Sequence, residues 1–247
     1  MNARTSIAIA IAMNLGFGCG SSKEAEQAPV SESSSGAEAH QPETLKGHMA
    51  ANFYVALEAR DGVIAGSLIQ AKEAAVKLAE QDYSKVLPPD WMPGVQRMQD
   101  AARQLAVVQD IESAASAVAN LAATCGECHT ASQVKGARGG VVPPDLKFGE
   151  AEDMKARMQR HQRAATAFWY GLTVPSDAAW NSAAQALLDA PMTPVDDKGN
   201  AVSPQTVAKV EKVREIAKRS LNVTGTAERA KLYGEFLGTC AHCHSGK

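Results

Sequence analysis

The chain has 247 residues, of which 21% are charged, and a formal net charge of −2. That near-neutral balance offers neither a basic footprint for nucleic acid nor a polybasic surface for membranes. Alanine is abundant, aromatic residues make up only 5%, and alternating β-branched runs are absent. An all-α protein of one or two domains, at roughly 100–150 residues each, is the expectation.

Near its start the chain carries Arg4 and then an apolar run from Ser6 to Leu15. The run falls short of the roughly 20 residues that cross a bilayer as a helix and reads as an export signal. It ends at Leu15-Gly16-Phe17-Gly18-Cys19, which resembles the lipobox of bacterial lipoproteins, with Gly16 where leucine is usual. Residues 1–19 are therefore read as a signal peptide and Cys19 as a candidate lipidation site. The alternative is an ordinary cleaved signal that removes Cys19. Both place the mature chain outside the cytoplasm, in the periplasm, with a lipid anchor to a bacterial membrane in the first case. Residues 20–41 are polar and low in complexity and read as a tether. Glu24, Glu26 and His40 lie there and imply no chemistry.

The remainder reads as two copies of one unit, residues 42–131 and 150–247, joined by a Gly/Pro-rich linker over 132–149. Placing Lys46 on Lys155 aligns Met49 with Met158, Ala56 with Ala165, Gly62 with Gly171 and Leu78 with Leu187. In the first copy the pattern predicts helices over 42–65, from the capping box at Ser67 to just before Pro88, over 90–106, and from Asp110 onward. In the second copy helices are predicted to start at Ser176, Ser203-Pro204 and Thr226, with a loop over 190–203. The last helix of each copy carries an apolar stripe: Ile111, Ala115, Val118 and Ala122 in one, Ala230, Tyr233 and Leu237 in the other. Helices joined by short loops favour up-down bundles, so the predicted architecture is two tandem four-helix bundles.

Both stripes run into the same pentapeptide pattern, Cys125-Gly126-Glu127-Cys128-His129 and Cys240-Ala241-His242-Cys243-His244. Residues at i, i+3 and i+4 share a helix face. Two thiols and an imidazole so placed suit covalent attachment of a c-type haem: the thiols add to the vinyl groups and the histidine ligates iron. A thioredoxin-like thiol pair would sit near a helix N-terminus in a βαβ setting, whereas these motifs end helices. A structural zinc site drawing on both motifs is the other alternative. The histidine in both copies and the export signal favour haem. With Cys19 at the lipobox, no cysteine remains for a long-range disulfide.

A four-helix unit with CxxCH closing its last helix resembles the cytochrome c′ family of class II c-type cytochromes, over nearly all of residues 42–247. The resemblance implies two covalently bound haem c groups, with His129 and His244 as proximal ligands. It also implies that the first helix of each unit faces the other side of the iron, with a methionine ligand or an apolar residue that leaves the iron open. Met49 and Met158 coincide in the internal alignment and are the candidate distal ligands; core filling is the bland reading of both. His48 is expected to be exposed, with bis-histidine ligation in the first unit as the alternative, and His161 ranks behind Met158. Phe168-Trp169-Tyr170, Trp91 and Trp180 read as core, Lys212, Arg214, Lys218 and Arg219 as a solvated face, and His242 has no evident partner.

There is no Ser-His-Asp order and no phosphate loop. The functional expectation is a dihaem electron carrier, not an enzyme, acting with redox partner proteins. The resemblance adds homodimer formation, or its imitation by two units in one chain. A gas-binding (NO or CO) protein with open irons is the alternative, and a peroxidase-like enzyme using His48 or His161 is a third possibility.

Overall fold

The computed structural model describes residues 44–133, 154–190, 198 and 200–244. The signal peptide, Cys19, the tether and the linker core at 134–149 lie outside these residues. The fold is all-α. Helices α1 (Leu45–Ile64), α2 (Leu68–Ala79), α3 (Met92–Val107) and α4 (Ile111–Ala131) form the first series, with a 3-10 turn at Pro89–Trp91. Helices α5 (Met154–Thr173), α6 (Asp177–Leu188), α7 (Pro204–Ser220) and α8 (Thr226–His244) form the second.

Side-chain caps start most of these helices. Thr44, Ser67, Asp110, Ser176 and Ser203 each accept a hydrogen bond from the backbone N–H three residues on, at 2.7–3.3 Å. Each satisfies a donor that the helix cannot, an effect of about 1 kcal/mol per cap. Pro204 occupies the first turn of α7, where its missing N–H costs nothing. The first helix begins three residues after the expected Pro42, because Thr44 supplies the cap.

Within each series, consecutive helices pack side by side and the first also touches the fourth. The most extensive helix pair, however, is α4 with α8, one from each series. Small residues allow it. A Cβ at Gly234 would stand 3.1 Å from the Ser116 Cα, and one at Gly238 would stand 3.8 Å from the Ala115 Cβ. Helices α4 and α5, and α1 and α8, also meet, so the two series form one compact unit.

The alanine-rich core gains bulk from a buried aromatic group. Phe168 packs edge-on to Trp180 at 4.6 Å and to Phe236 at 5.7 Å. Burial demands partners for the polar tips. Trp180 Nε1 donates to the Ser220 carbonyl and the Tyr233 hydroxyl to the Ala165 carbonyl, both at 2.9 Å. The core assignment of Phe168, Trp169 and Trp180 is borne out, while Tyr170 is half-buried and stacks on Phe53 at 5.5 Å. Trp91 is half-buried against a smaller cluster of Tyr83, Leu87 and Val95.

Candidate cofactor sites

Cys125, Cys128 and His129 occupy the last turns of α4, and Cys240, Cys243 and His244 the end of α8. The helical stripe therefore continues into both pentapeptides, which puts each first cysteine in line with its core. Cys125 Sγ lies 3.5 Å from the Leu121 carbonyl oxygen, one turn back. Burial, the largest influence, pushes the Cys125 and Cys240 thiols up to about 12, with the neighbouring cysteine of each pair adding to it.

At the first motif the fit is close on two sides. Cys128 lies against Gly94 of α3, where a Cβ would come within 2.6 Å of its sulfur. Gly126 lies against the end of α5, where a Cβ would come within 2.0 Å of the Leu172 carbonyl oxygen. Beside it, His129 Nδ1 sits 2.7 Å from the Thr173 carbonyl oxygen. A carbonyl can only accept, so Nδ1 carries a proton here, and it is Nε2 that has the lone pair in the neutral ring.

Helix α1 presents a buried line of His48, Asn52, Ala56, Ala59 and Val63. His48 is 2% exposed, which corrects the expectation of an exposed side chain. The reason is the four-residue step back from Ala56 through Asn52, together with the loop that lays Tyr83 edge-on to the imidazole at 6.4 Å. Tyr83 donates to Asn52 Oδ1 at 2.9 Å, and burial holds its phenol well above the usual range. His48 Nδ1 is buried with no hydrogen-bond partner. Met49 flanks this line, half-buried against the Tyr83, Leu87 and Val95 cluster.

The second motif opens into a cavity of about 830 Å³. Cys240, Cys243 and His244 line it from α8, and Met158 and His161 from α5. Leu187, Val207, Val210 and Val213 give it apolar walls. Lys155, Arg157, Arg160, Lys209 and Arg214 also line it, and no carboxylate does among its described residues. Met158 is 38% exposed and His161 is half-buried. Burial first, then Arg160, His244 and Arg157, lowers the His161 imidazole to about 4, so it is neutral at pH 7.

Sequence reasoning missed this cationic lining. The signal was present in Lys155, Arg157 and Arg160, which crowd one helix start, but only folding brings Lys209 and Arg214 to the same space. Arg214 departs from the solvated face that the sequence predicts for it. It is half-buried and donates to the Leu188 and Ala190 carbonyls at 2.9 and 3.0 Å, whereas Lys212 and Lys218 are exposed as expected. His242 does have a partner: its Nε2 lies 2.8 Å from Glu112 Oε1, at the start of α4.

Among the described residues no three His, Cys, Asp or Glu side chains converge as ligands for a bare metal ion. No described helix is long and apolar enough to cross a membrane. Comparison with known protein families, curated proteins and solved structures finds no match to this chain.

The donor set at both helix ends is two thiols and one imidazole. The second adds an apolar space of ligand size with a cationic lining, suited to a flat apolar body that carries carboxylates. At the second helix end, the donor set and the space beside it fit a covalently held haem.

Proposed function

We propose that this protein is a dihaem c-type cytochrome that carries electrons outside the cytoplasm, built as two tandem four-helix bundles of the cytochrome c′ kind. The observation that carries this reading is the recurrence of CxxCH at the ends of α4 and α8, the second opening into the cation-lined cavity. A bound haem supplies one-electron chemistry at its iron.

The residues of the chain hold and tune that group. Cys125 and Cys128 would tether one ring and Cys240 and Cys243 the other, with His129 and His244 as proximal ligands. The Thr173 carbonyl fixes the tautomer and the ring plane of His129, leaving Nε2 as the ligating atom. Lys155, Arg157 and Lys209 stand where they would pair with carboxylates of a group in the second cavity. Met49, packed against Tyr83, Leu87 and Val95, remains the candidate for the other face of the first iron. An electron carrier needs closed sites, because ligand exchange would slow each transfer.

The partners would be redox proteins. The signal-like start supports a periplasmic location, and the lipobox-like end at Cys19 supports a lipid anchor there over simple cleavage.

The test is an optical spectrum of exported protein with a pyridine haemochrome count. Two haems per chain and low-spin spectra in both oxidation states are expected. Colourless protein without added mass overturns the reading. Rapid binding of CO to the reduced protein would move the function to gas binding.

A further inference from the structure

We infer that His161, and not Met158, is the residue of α5 that would face the second iron opposite His244. This deepens the dihaem reading and rests on it.

The helix geometry carries the inference. The inward line of α5, buried at Ala165, Phe168 and Leu172, reaches the half-buried His161 when carried back four residues. It is the counterpart of the α1 line through Asn52, Ala56, Ala59 and Val63. Met158 lies one turn nearer the helix start and is turned about 60° from His161 at 100° per residue. It is 38% exposed, whereas Ala165, Phe168 and Leu172 on the inward line are buried. His161 is half-buried, one turn deeper, and lines the same cavity as His244, Cys240 and Cys243. The repeat alignment that pairs Met49 with Met158 thus picks out the flank of the helix rather than the line that points inward.

The two sites then differ in kind. The α1 counterpart of His161 is Asn52, whose oxygen is already engaged by the Tyr83 hydroxyl. The first iron would draw on Met49 or on His48, and the second on an imidazole from each side. A thioether opposite histidine raises the reduction potential, so with Met49 in place the second haem has the lower potential and electrons run from it to the first.

The experiment uses full-length, exported holoprotein and its His161→Ala, His161→Met and Met158→Leu variants. Haem is counted by pyridine haemochrome, and ligation is read by electron paramagnetic resonance and by the near-infrared band of Met-ligated ferric haem. In H161A, one haem of the two is expected to turn high-spin with the count unchanged, and added imidazole restores the low-spin signal. In H161M, that haem gains the near-infrared band and a higher midpoint potential. M158L leaves spectra and potentials as in the wild type. Loss of a low-spin signal in M158L, or unchanged spectra in H161A, overturns the assignment while leaving the dihaem reading intact. A haem count of zero in the wild type overturns both.

Discussion

His129 Nδ1 lies 2.7 Å from the carbonyl oxygen of Thr173, so an imidazole at the end of α4 is held by the last turn of α5. The same α5, 20 residues and therefore about 30 Å long, carries Met158 and His161 near its other end, in the wall of the second cavity. One rigid helix thus touches both candidate sites. The two series of helices are not merely repeated along the chain: each contributes to the surroundings of a motif in the other, since His242 in the second motif pairs with Glu112 of α4.

Gly126→Ala tests this seam. The added Cβ would come within 2.0 Å of the Leu172 carbonyl oxygen, which is backbone and cannot swing aside. The expected outcome is a loss of about 1–3 kcal/mol, typical of overpacking, with His129 displaced from Thr173. Thermal melting reads the first effect and the nitrogen chemical shifts of His129 the second. The second motif supplies a contrast, because Ala241 at the matching position is fully buried and already accommodates a Cβ. A G126A protein as stable as the wild type, with His129 unshifted, would show that the seam is loose.

Gly234→Leu addresses the contact between α4 and α8. A Cβ alone would sit 3.1 Å from the Ser116 Cα, so a branched side chain must part the two helices. A cost of about 3 kcal/mol or more is expected, as overpacking adds to lost contact across the largest helix interface. Chemical denaturation measures it. If α4 and α8 were independent of each other, the variant would lose almost nothing.

Much of the fold is legible in the sequence. Ser67, Asp110, Ser176 and Ser203 announce helix starts because short polar side chains bond locally to the backbone, and the structure has a cap at each. The two pentapeptides stand out for a similar reason: their cysteines and histidines are spaced along one helical turn. His48 does not. Its burial depends on Tyr83, from a loop whose path no periodicity encodes, although the inward line through Ala56 and Asn52, carried back four residues, reaches it. The ring of cations around the second cavity was hidden too, since Lys155 and Lys209 are 54 positions apart in sequence and meet only through packing. Net charge, at −2, averages such a local excess away.

Acid should reveal the Arg219–Glu235 pair. Arg219 Nη1 and Nη2 donate to the two carboxylate oxygens at 2.7 and 3.0 Å. That fork, more than any other influence, holds the Glu235 carboxyl below its ordinary 4.5. A carboxylate with a depressed folded pKa stabilises above its unfolded value and loses that contribution as pH falls through the folded one. Both side chains are partly solvated, so the effect is about 0.5 kcal/mol after screening. Glu235→Gln should therefore melt slightly below the wild type at pH 7, and the difference should shrink below about pH 4. Melting curves across pH check it, and a constant gap down to pH 3 would remove the pair as its cause.

The thiols offer a last test, on chain produced without haem attachment and kept reduced. Cys243 is exposed, whereas burial pushes Cys125 and Cys240 up to about 12. Only the thiolate attacks an alkylating reagent. At pH 8 a thiol titrating near 12 is thiolate in about one molecule in 10⁴, against about one in four for a free cysteine. Burial raises Cys243 as well, but its exposed sulfur can be reached without opening the fold. Iodoacetamide should therefore modify Cys243 first and Cys125 and Cys240 slowest, by orders of magnitude, as followed by peptide mass spectrometry. Uniform labelling of all four would mean that the ends of α4 and α8 are unfolded until a haem is attached. The packing of Cys128 on Gly94 and of His129 on Thr173 would then be a consequence of the cofactor rather than a site waiting for it.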